Sequence, residues 1–367
     1  MNITFVSTGS KIDCFPPEKG GIEILESDLI KELKKKGNSV QLIASKSLIE
    51  NSVEIGSPKI NNDRLHNFFS MINCYKKKNL VSGEILHCHY PLTAYPFLDF
   101  MPLVYSEHNW YNLPEAKYHK TVFTPVFNFF QKKVYDKADR IIALSSEIKE
   151  IIRKKVPERK NKVVFIPNFV DSNFFAPTKK EQNKIVFVGR LDKEKGLDLL
   201  IEVLSELKNR FDFELIVLGE GPLKKTLELQ AQKTGIKFNF FGHVKHSELA
   251  FFLGSSSIFV LPSFFEVMPV VVLEAMSSSC AVIASDAFGI KDQIGSGEGI
   301  VFEKGNKKQL KENLIELLSS SSLCTSFGRK AREKVLSEFD VKVIGEKTVK
   351  LYKEVLEEKK PKKTELK

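Results

Sequence analysis

At 367 residues the chain exceeds what one hydrophobic core usually serves, so two domains are expected. A formal charge of +10 admits nucleic acid, an anionic membrane surface or phosphorylated substrates as partners, and the absence of any legible nucleic-acid-binding module sets the first aside. No apolar run approaches the ~20 residues that span a bilayer, and five scattered cysteines with no C-x-x-C pair exclude a disulfide framework or a thiolate zinc site, which points to reduced thiols in a cytoplasm.

The chain opens on a strand, Ile3–Val6, with neither the basic nor the apolar region of a signal peptide. Ile22, Leu25, Leu29 and Leu33 follow at helical spacing, Gly37 and Asn38 end that helix, and Val40–Ala44 is the second strand. Further strands are expected at Ile85–His89, Leu103–Ser106, Arg140–Leu144 and Val163–Ile166. The rhythm repeats at Lys184–Val188, Glu214–Leu218, Phe238–Phe241, Ser257–Leu261 and Ala281–Ala284. Short apolar strands alternating with helical segments imply parallel sheets covered on both faces. The expected class is α/β, with two doubly wound Rossmann-like domains facing a central cleft. The polar stretch after Phe174 is read as the linker, giving domains at 1–178 and 179–339. Asp340–Leu356 carries a final helical pattern, and 357–367 is a charged tail read as disordered.

Ligands of open parallel sheets bind at the carboxyl ends of the strands, and several loops there carry suitable groups. Gly20 and Gly21 precede the first helix, where paired glycines and free N–H groups suit an anion or an ordinary tight turn equally. Arg190 and Lys195 follow the strand that ends at Val188; they suit a diphosphate, or else pair with Asp192 and Glu194 at the surface. Glu266 and Glu274 stand eight positions apart and bracket the apolar run Val267–Leu273. Carboxylates at such an edge are costly to desolvate unless hydroxyls meet them, as those of a sugar or ribose would; two solvated acids at a helix start are the simpler alternative. His87 and His89 share one strand face, but with no third ligand near them no metal site is read. His108 leaves a strand for a loop, where it serves either as a hydrogen-bonding or acid–base group or as a structural histidine. There is no Asp-x-Asp to hold a divalent ion.

Arg190 with Lys195 and Gly196, the stretch Ile166–Asp171, the stretch Ala138–Ser145 and the Glu266/Glu274 pair, taken in order, resemble glycosyltransferase family 4 over Ile3 to about Tyr352. The resemblance implies the GT-B fold, retention of anomeric configuration, and a C-terminal helix, about 340–356, that crosses back to the N-terminal domain. It makes 1–178 the acceptor-binding domain and 179–339 the nucleotide-sugar-binding domain. By the family's pattern Arg190 and Lys195 grip the donor diphosphate, Glu274 holds the ribose hydroxyls and Glu266 the hydroxyls of the transferred sugar. Gly20 and Gly21 line the diphosphate from the other domain, and His108 matches the histidine near the donor sugar. No metal or other cofactor is implied beyond the nucleotide-diphosphate sugar, which is a substrate. Retention without a protein nucleophile implies front-face attack, the leaving phosphate taking the acceptor's proton.

The chain departs from the family where Asn168 is followed by Phe169 rather than glycine, where Glu266 is followed by Val267–Pro269, and where Ser279 replaces a common glycine. None of these removes a charged or hydroxyl-binding group; they bear on which sugar is carried. The acceptor is read as a glycan or a lipid-linked sugar. Val122–Val134 mixes large apolar residues with cations and suits an anionic membrane surface, although Phe123, Val126, Phe127 and Phe130 fall at the spacing of a buried helix face. The expected location is cytoplasmic, with peripheral attachment to the inner face of the membrane left open. Two rival functions remain on the sequence alone: a sugar-nucleotide epimerase of the same fold, and a non-catalytic sugar-nucleotide-binding partner.

Overall fold

The computed structural model describes residues 1–7, 21–56, 63–108 and 124–360. The chain forms two compact units, Met1–Pro167 with Lys342–Lys367, and Asn168–Val341.

In the first unit β1 (Asn2–Ser7), β2 (Ser39–Ala44), β3 (Ser52–Glu54), β4 (Ile85–Cys88), β5 (Leu103–Glu107), β6 (Arg140–Ala143) and β7 (Val163–Phe165) build one parallel sheet in the order β3-β2-β1-β4-β5-β6-β7. Apart from β3 the strands are mostly buried, as a sheet covered on both faces demands, and carry buried polar groups such as Ser7, His87, Ser106 and Glu107 among the apolar ones. Its helices are α1 (Gly21–Lys35), α2 (Asp63–Lys77), α3 (Pro91–Ala94), α4 (Thr124–Lys137) and α5 (Ser146–Lys155). Leu25, Leu29 and Leu33 bury one stripe of α1, as the spacing predicts, and Ser145 caps α5 by accepting from Ile148 N at 3.2 Å. Strand order reverses between β1 and β4, which puts the switch point of the fold at Ser7 and Cys88.

The second unit repeats the plan with β8 (Glu181–Val188), β9 (Glu214–Leu218), β10 (Lys237–Gly242), β11 (Ser256–Leu261), β12 (Ala281–Ser285) and β13 (Ile300–Phe302), all parallel, in the order β10-β9-β8-β11-β12-β13. Around it lie α6 (Leu197–Leu207), α7 (Lys224–Thr234), α8 (His246–Ser255), α9 (Val270–Ser277), α10 (Ile290–Gln293), α11 (Lys307–Leu318) and α12 (Ser321–Lys334). Here the order reverses between β8 and β11, so the loops after those strands frame the candidate site.

The last helix, α13 (Val341–Lys359), belongs from Lys342 onward to the first unit. It packs on α1 through Gly345, where an added Cβ would come within 2.9 Å of Glu32 Cγ, and through a Lys36–Glu346 ion pair at 3.0 Å. Its Tyr352 hydroxyl lies 2.6 Å from His87 Nδ1, and Arg140 on β6 donates to Glu358 Oε2 at 3.0 Å. The returning helix is thus as expected, three residues longer at its end than the pattern predicts.

The strands β3 and β13, each three residues long, are the ones the pattern missed. The buried-face expectation for α4 is corrected. Its core contacts are made by Gln131, Val134 and Tyr135; of the residues expected to be buried, Val126 is 45% exposed and Phe127 and Phe130 are only half-buried, and Phe129 is 54% exposed. Gln131 and Tyr135 face inward because both donate to the buried Glu107 carboxylate, Gln131 at 2.8 Å. That polar anchor turns Val126 and Phe129 away from the core. Phe123 lies outside the described residues.

Candidate functional site

In the second unit the chain leaves β8 at Val188 and turns through Gly189 to Gly196. Asp192 holds the turn by accepting from Glu194 N at 3.1 Å, and Glu194 O accepts from Phe264 N at 2.7 Å, which ties this loop to the one after β11. Gly196 has φ +66°, and a Cβ there would come within 2.2 Å of Pro262 O. Gly289, at φ +71°, lies against the same loop from the β12 side, with Val267 O only 2.1 Å from where a Cβ would stand. Glycine at these two points lets the backbones close up, and the loop carrying Glu266 is held between them.

That closure brings Lys195 Nζ to 2.6 Å from Glu266 Oε1, with both side chains largely shielded from solvent. Two of the residues singled out in the sequence therefore meet. Glu274, one turn into α9, is buried and lies 3.4 Å from His246 Nε2. The His246 ring stacks on Phe174 at 4.8 Å between centroids and meets Phe175 edge-on at 4.9 Å. Sequence reasoning missed His246 and Phe174; an isolated histidine after β10 and a phenylalanine in a polar stretch carry no spacing signal. Arg190 is 69% exposed side-chain area and pairs with Asp192 at 3.2 Å, which is the surface-pair arrangement weighed for it.

In the first unit Gly21 opens α1, a Cβ added there would meet no atom of the described residues within 4 Å, and Gly20 lies outside the described residues. His108 follows β5 and contacts His89 just after β4, ring nitrogens Nε2 and Nδ1 being 2.9 Å apart. His89 stacks on His87 at 4.5 Å between centroids, and His87 Nε2 lies 2.7 Å from Ser106 Oγ. Behind His89, Glu26 of α1 places Oε1 3.4 Å from His89 Nε2 and accepts from the Ser7 hydroxyl. Burial, with the Glu23 charge adding to it, pushes the Glu26 carboxyl well above its ordinary value despite the Ser7 bond. Burial also holds His87 and His108 down to about 3, and His89 well below the usual imidazole range. Glu26 was not legible as a site residue, because glutamate at a core-facing helix position looks like any other break in an apolar stripe. Among the described residues no group of three or more His, Cys, Asp or Glu side chains is arranged to hold a metal ion.

Two family descriptions match the chain: "Glycosyltransferase Family 4" over residues 19–174 and "Glycosyl transferases group 1" over 169–334. An uncharacterized glycosyltransferase of Methanocaldococcus jannaschii is 31% identical over 173 residues, 47% of this chain and 47% of that protein. The matched stretch thus spans about half the length of that curated relative. Among solved structures, sucrose-phosphate synthase from Thermosynechococcus elongatus superposes with a TM-score of 0.82 at 17% identity, covering 97% of this chain and 99% of the other. HepE of Anabaena, in complex with UDP and glucose, superposes with a TM-score of 0.76 at 16% identity, covering 96% and 100%. Two parallel Rossmann-like units with a returning helix, and two family matches that together run from residue 19 to 334, lead to one assignment: the chain has the GT-B fold and belongs to glycosyltransferase family 4.

Proposed function

We propose that this protein is a retaining glycosyltransferase that moves a sugar from a nucleotide-diphosphate sugar to a glycan or lipid-linked acceptor without a metal ion. The observation that carries the reading is the Lys195–Glu266 pair at 2.6 Å, held at the switch point of the second unit by loops that only glycine allows to close. As the glycosidic bond breaks, negative charge grows on the leaving diphosphate. A fixed ammonium in a shielded site stabilises that charge without reorganising at the moment of reaction. Glu266 orients this ammonium and offers its remaining oxygen to hydroxyls of the transferred sugar. Arg190, on an exposed and weakly held arm, adds a bidentate contact once the phosphates arrive. Glu274 accepts from the ribose hydroxyls, with His246 holding its other side. In this reading the second unit, Asn168–Val341, binds the nucleotide sugar and the first unit binds the acceptor, with Gly20, Gly21 and His108 as candidate site residues of the first unit.

A uridine donor is the first to test, because one structural neighbour is described with UDP and glucose. The test is thermal melting of the protein with uridine, guanosine and adenosine diphosphate sugars in the presence of a chelator. A donor at a hundred times its Kd adds about 2.7 kcal/mol, a shift of a few degrees. No shift with any donor, from folded protein, sinks the reading.

The acceptor is proposed to lie at an anionic membrane surface on the cytoplasmic side. No described helix is long and apolar enough to cross a membrane. The support is the outward face of α4, where Val126 and Phe129 are exposed beside Lys132 and Lys133, and Lys133 Nζ sits 5.6 Å from the Phe129 ring centroid. Beside it a cleft of about 410 Å³ is lined by Tyr75, Lys78, Tyr95, Phe100 and Lys133. Aromatic and lysine side chains interleaved on one face suit the headgroup boundary of anionic lipid.

A further inference from the structure

Three consecutive peptide carbonyls between Glu266 and Glu274 are each met from elsewhere in the second unit. Val267 O lies against Gly289, the residue before α10, at the close approach already described. Met268 O accepts from Asn168 Nδ2 at 2.7 Å, and Pro269 O accepts from Gln293 Nε2 at 2.9 Å. Asn168 is the first residue of the second unit, and Gln293 is the last of α10. Asn168 is buried and Gln293 fully so. A carbonyl oxygen only accepts, so each amide must turn its nitrogen toward it, and that fixes which way both side chains lie.

Gln293 carries a cost that packing alone does not explain. Its Oε1 is buried and makes no hydrogen bond among the described residues. An apolar side chain of the same length would fill the space without leaving a polar atom dry. What such a side chain cannot do is hold Pro269 O. That oxygen also accepts from Val272 N at 3.2 Å, and Pro269 is the residue from which α9 starts. Every side chain from Val267 to Leu273 is apolar, so the segment can be held by hydrogen bonds only through its backbone. Lys195 fixes Glu266 at one end, at 2.6 Å. The amides fix the start of the helix that carries Glu274 at the other, and between them they set how far apart the two carboxylates stand.

We propose that Asn168 and Gln293 are positioning residues which, by clamping Met268 O and Pro269 O, set the separation of Glu266 from Glu274 and match it to the length of a whole nucleotide-diphosphate sugar. The match to a substrate rests on the proposed glycosyltransferase reading, in which Glu266 meets the sugar and Glu274 the ribose; the clamp on the backbone does not. A ligand that reaches both carboxylates needs their separation held before it binds, whereas one that reaches Glu274 alone does not. The clamp therefore governs the affinity that the sugar adds to the nucleoside diphosphate, and leaves the affinity of the diphosphate itself nearly untouched.

The test is titration calorimetry with UDP-glucose and with UDP, or with the guanosine or adenosine pair if melting selects it, on wild type, Gln293→Met, Asn168→Ala and the double variant. Methionine keeps the length of glutamine and suits a core, so it removes the donor with little else. Each single variant is expected to lower the ratio of sugar-nucleotide to diphosphate affinity by about three- to tenfold, the weight of one neutral hydrogen bond. Because both amides hold one segment, the double variant should lose less than the product of the two. Hydrogen exchange over 266–274 should quicken in each single variant while the rest of the second unit keeps its rates. An unchanged affinity ratio overturns the proposal. So does an equal loss for both ligands with faster exchange throughout the unit, which marks a purely structural role. Losses that multiply mean two independent contacts and overturn the clamp. Asn168→Ala carries the test if Gln293→Met does not fold. Failure of the glycosyltransferase reading is separate: wild-type protein then binds no nucleotide sugar, and the exchange rates still report the clamp.

Discussion

Lys195 and Glu266 are 71 residues apart in the chain and 2.6 Å apart in space, and both lie at the carboxyl ends of neighbouring central strands. Desolvating two charges offsets most of what a shielded pair gains, so the pair contributes little to folding and its value lies in what it orients. Replacing Lys195 by alanine is predicted to lower kcat by about 10²–10³-fold, the usual cost of losing one preorganised charge stabiliser. Melting temperature should move by no more than a few degrees. Calorimetry and donor-turnover assays on one preparation separate the two effects, and full activity in Lys195→Ala contradicts the assigned role.

Glu274→Gln removes the charge from a buried carboxylate that sits 3.4 Å from His246. If it accepts from ribose hydroxyls, the variant should raise the donor KM by about ten- to a hundredfold, the weight of a charged hydrogen bond of ~1.5–3 kcal/mol. A nucleotide diphosphate alone should lose affinity by a similar factor, measured by titration calorimetry. Unchanged nucleotide affinity would move Glu274 to a structural role.

Gly196→Ala places a Cβ 2.2 Å from Pro262 O at φ +66°. The backbone strain alone is about 1–2 kcal/mol, and the contact with a carbonyl adds to it. The expected outcome is a lower melting temperature together with lost donor binding, because the turn that aims Lys195 must move. A variant as stable as wild type would mean the loop is not closed in this way.

The pH dependence of stability has two opposed contributions. Glu26 has its folded pKa raised, so its contribution is complete below the unfolded value near 4.5 and is lost as pH rises toward the folded value. The buried histidines have theirs depressed, so their contribution is complete above about 6.5 and is lost as pH falls, at up to about 1.4 kcal/mol per pH unit for each ring. Between 4.5 and 6.5 the histidines outnumber the carboxyl, and stability is predicted to fall on acidification. Glu26→Gln should gain on wild type as pH rises from 5 to 8 in thermal melts. A Glu26→Gln variant that loses ground to wild type over that range contradicts the assignment.

Phe129→Glu combined with Lys133→Glu alters only the outward face of α4. Wild type is predicted to co-sediment with phosphatidylglycerol vesicles and not with phosphatidylcholine vesicles, and the double variant with neither. Equal partition of both proteins would remove the membrane surface as a partner.

Much of this fold is legible in the sequence because its strands are buried on both faces and read as short apolar runs between helical patterns. Glu214–Leu218 needs no adjustment at all. β3 escapes because Val53 is its one apolar residue, too little to mark a strand. The outward turn of Val126 escapes because a buried carboxylate, Glu107, draws Gln131 and Tyr135 of α4 inward instead. In the candidate site, Lys195, Glu266 and Glu274 stand out as charges at apolar edges. Glu26 and His246 gain meaning only from what lies across from them in space, which single-chain spacing does not encode.

The central claim is transfer of a sugar from a nucleotide sugar to an acceptor. It is tested most directly by incubating the protein, in chelator, with the donor that stabilises it and a panel of glycan and lipid-linked acceptors. Nucleoside diphosphate release and the anomeric configuration of the product are followed together by proton NMR. Acceptor-dependent release and a product that keeps the donor's anomeric configuration are expected. Turnover of the donor alone into an isomeric sugar, or no turnover with any acceptor, would contradict it.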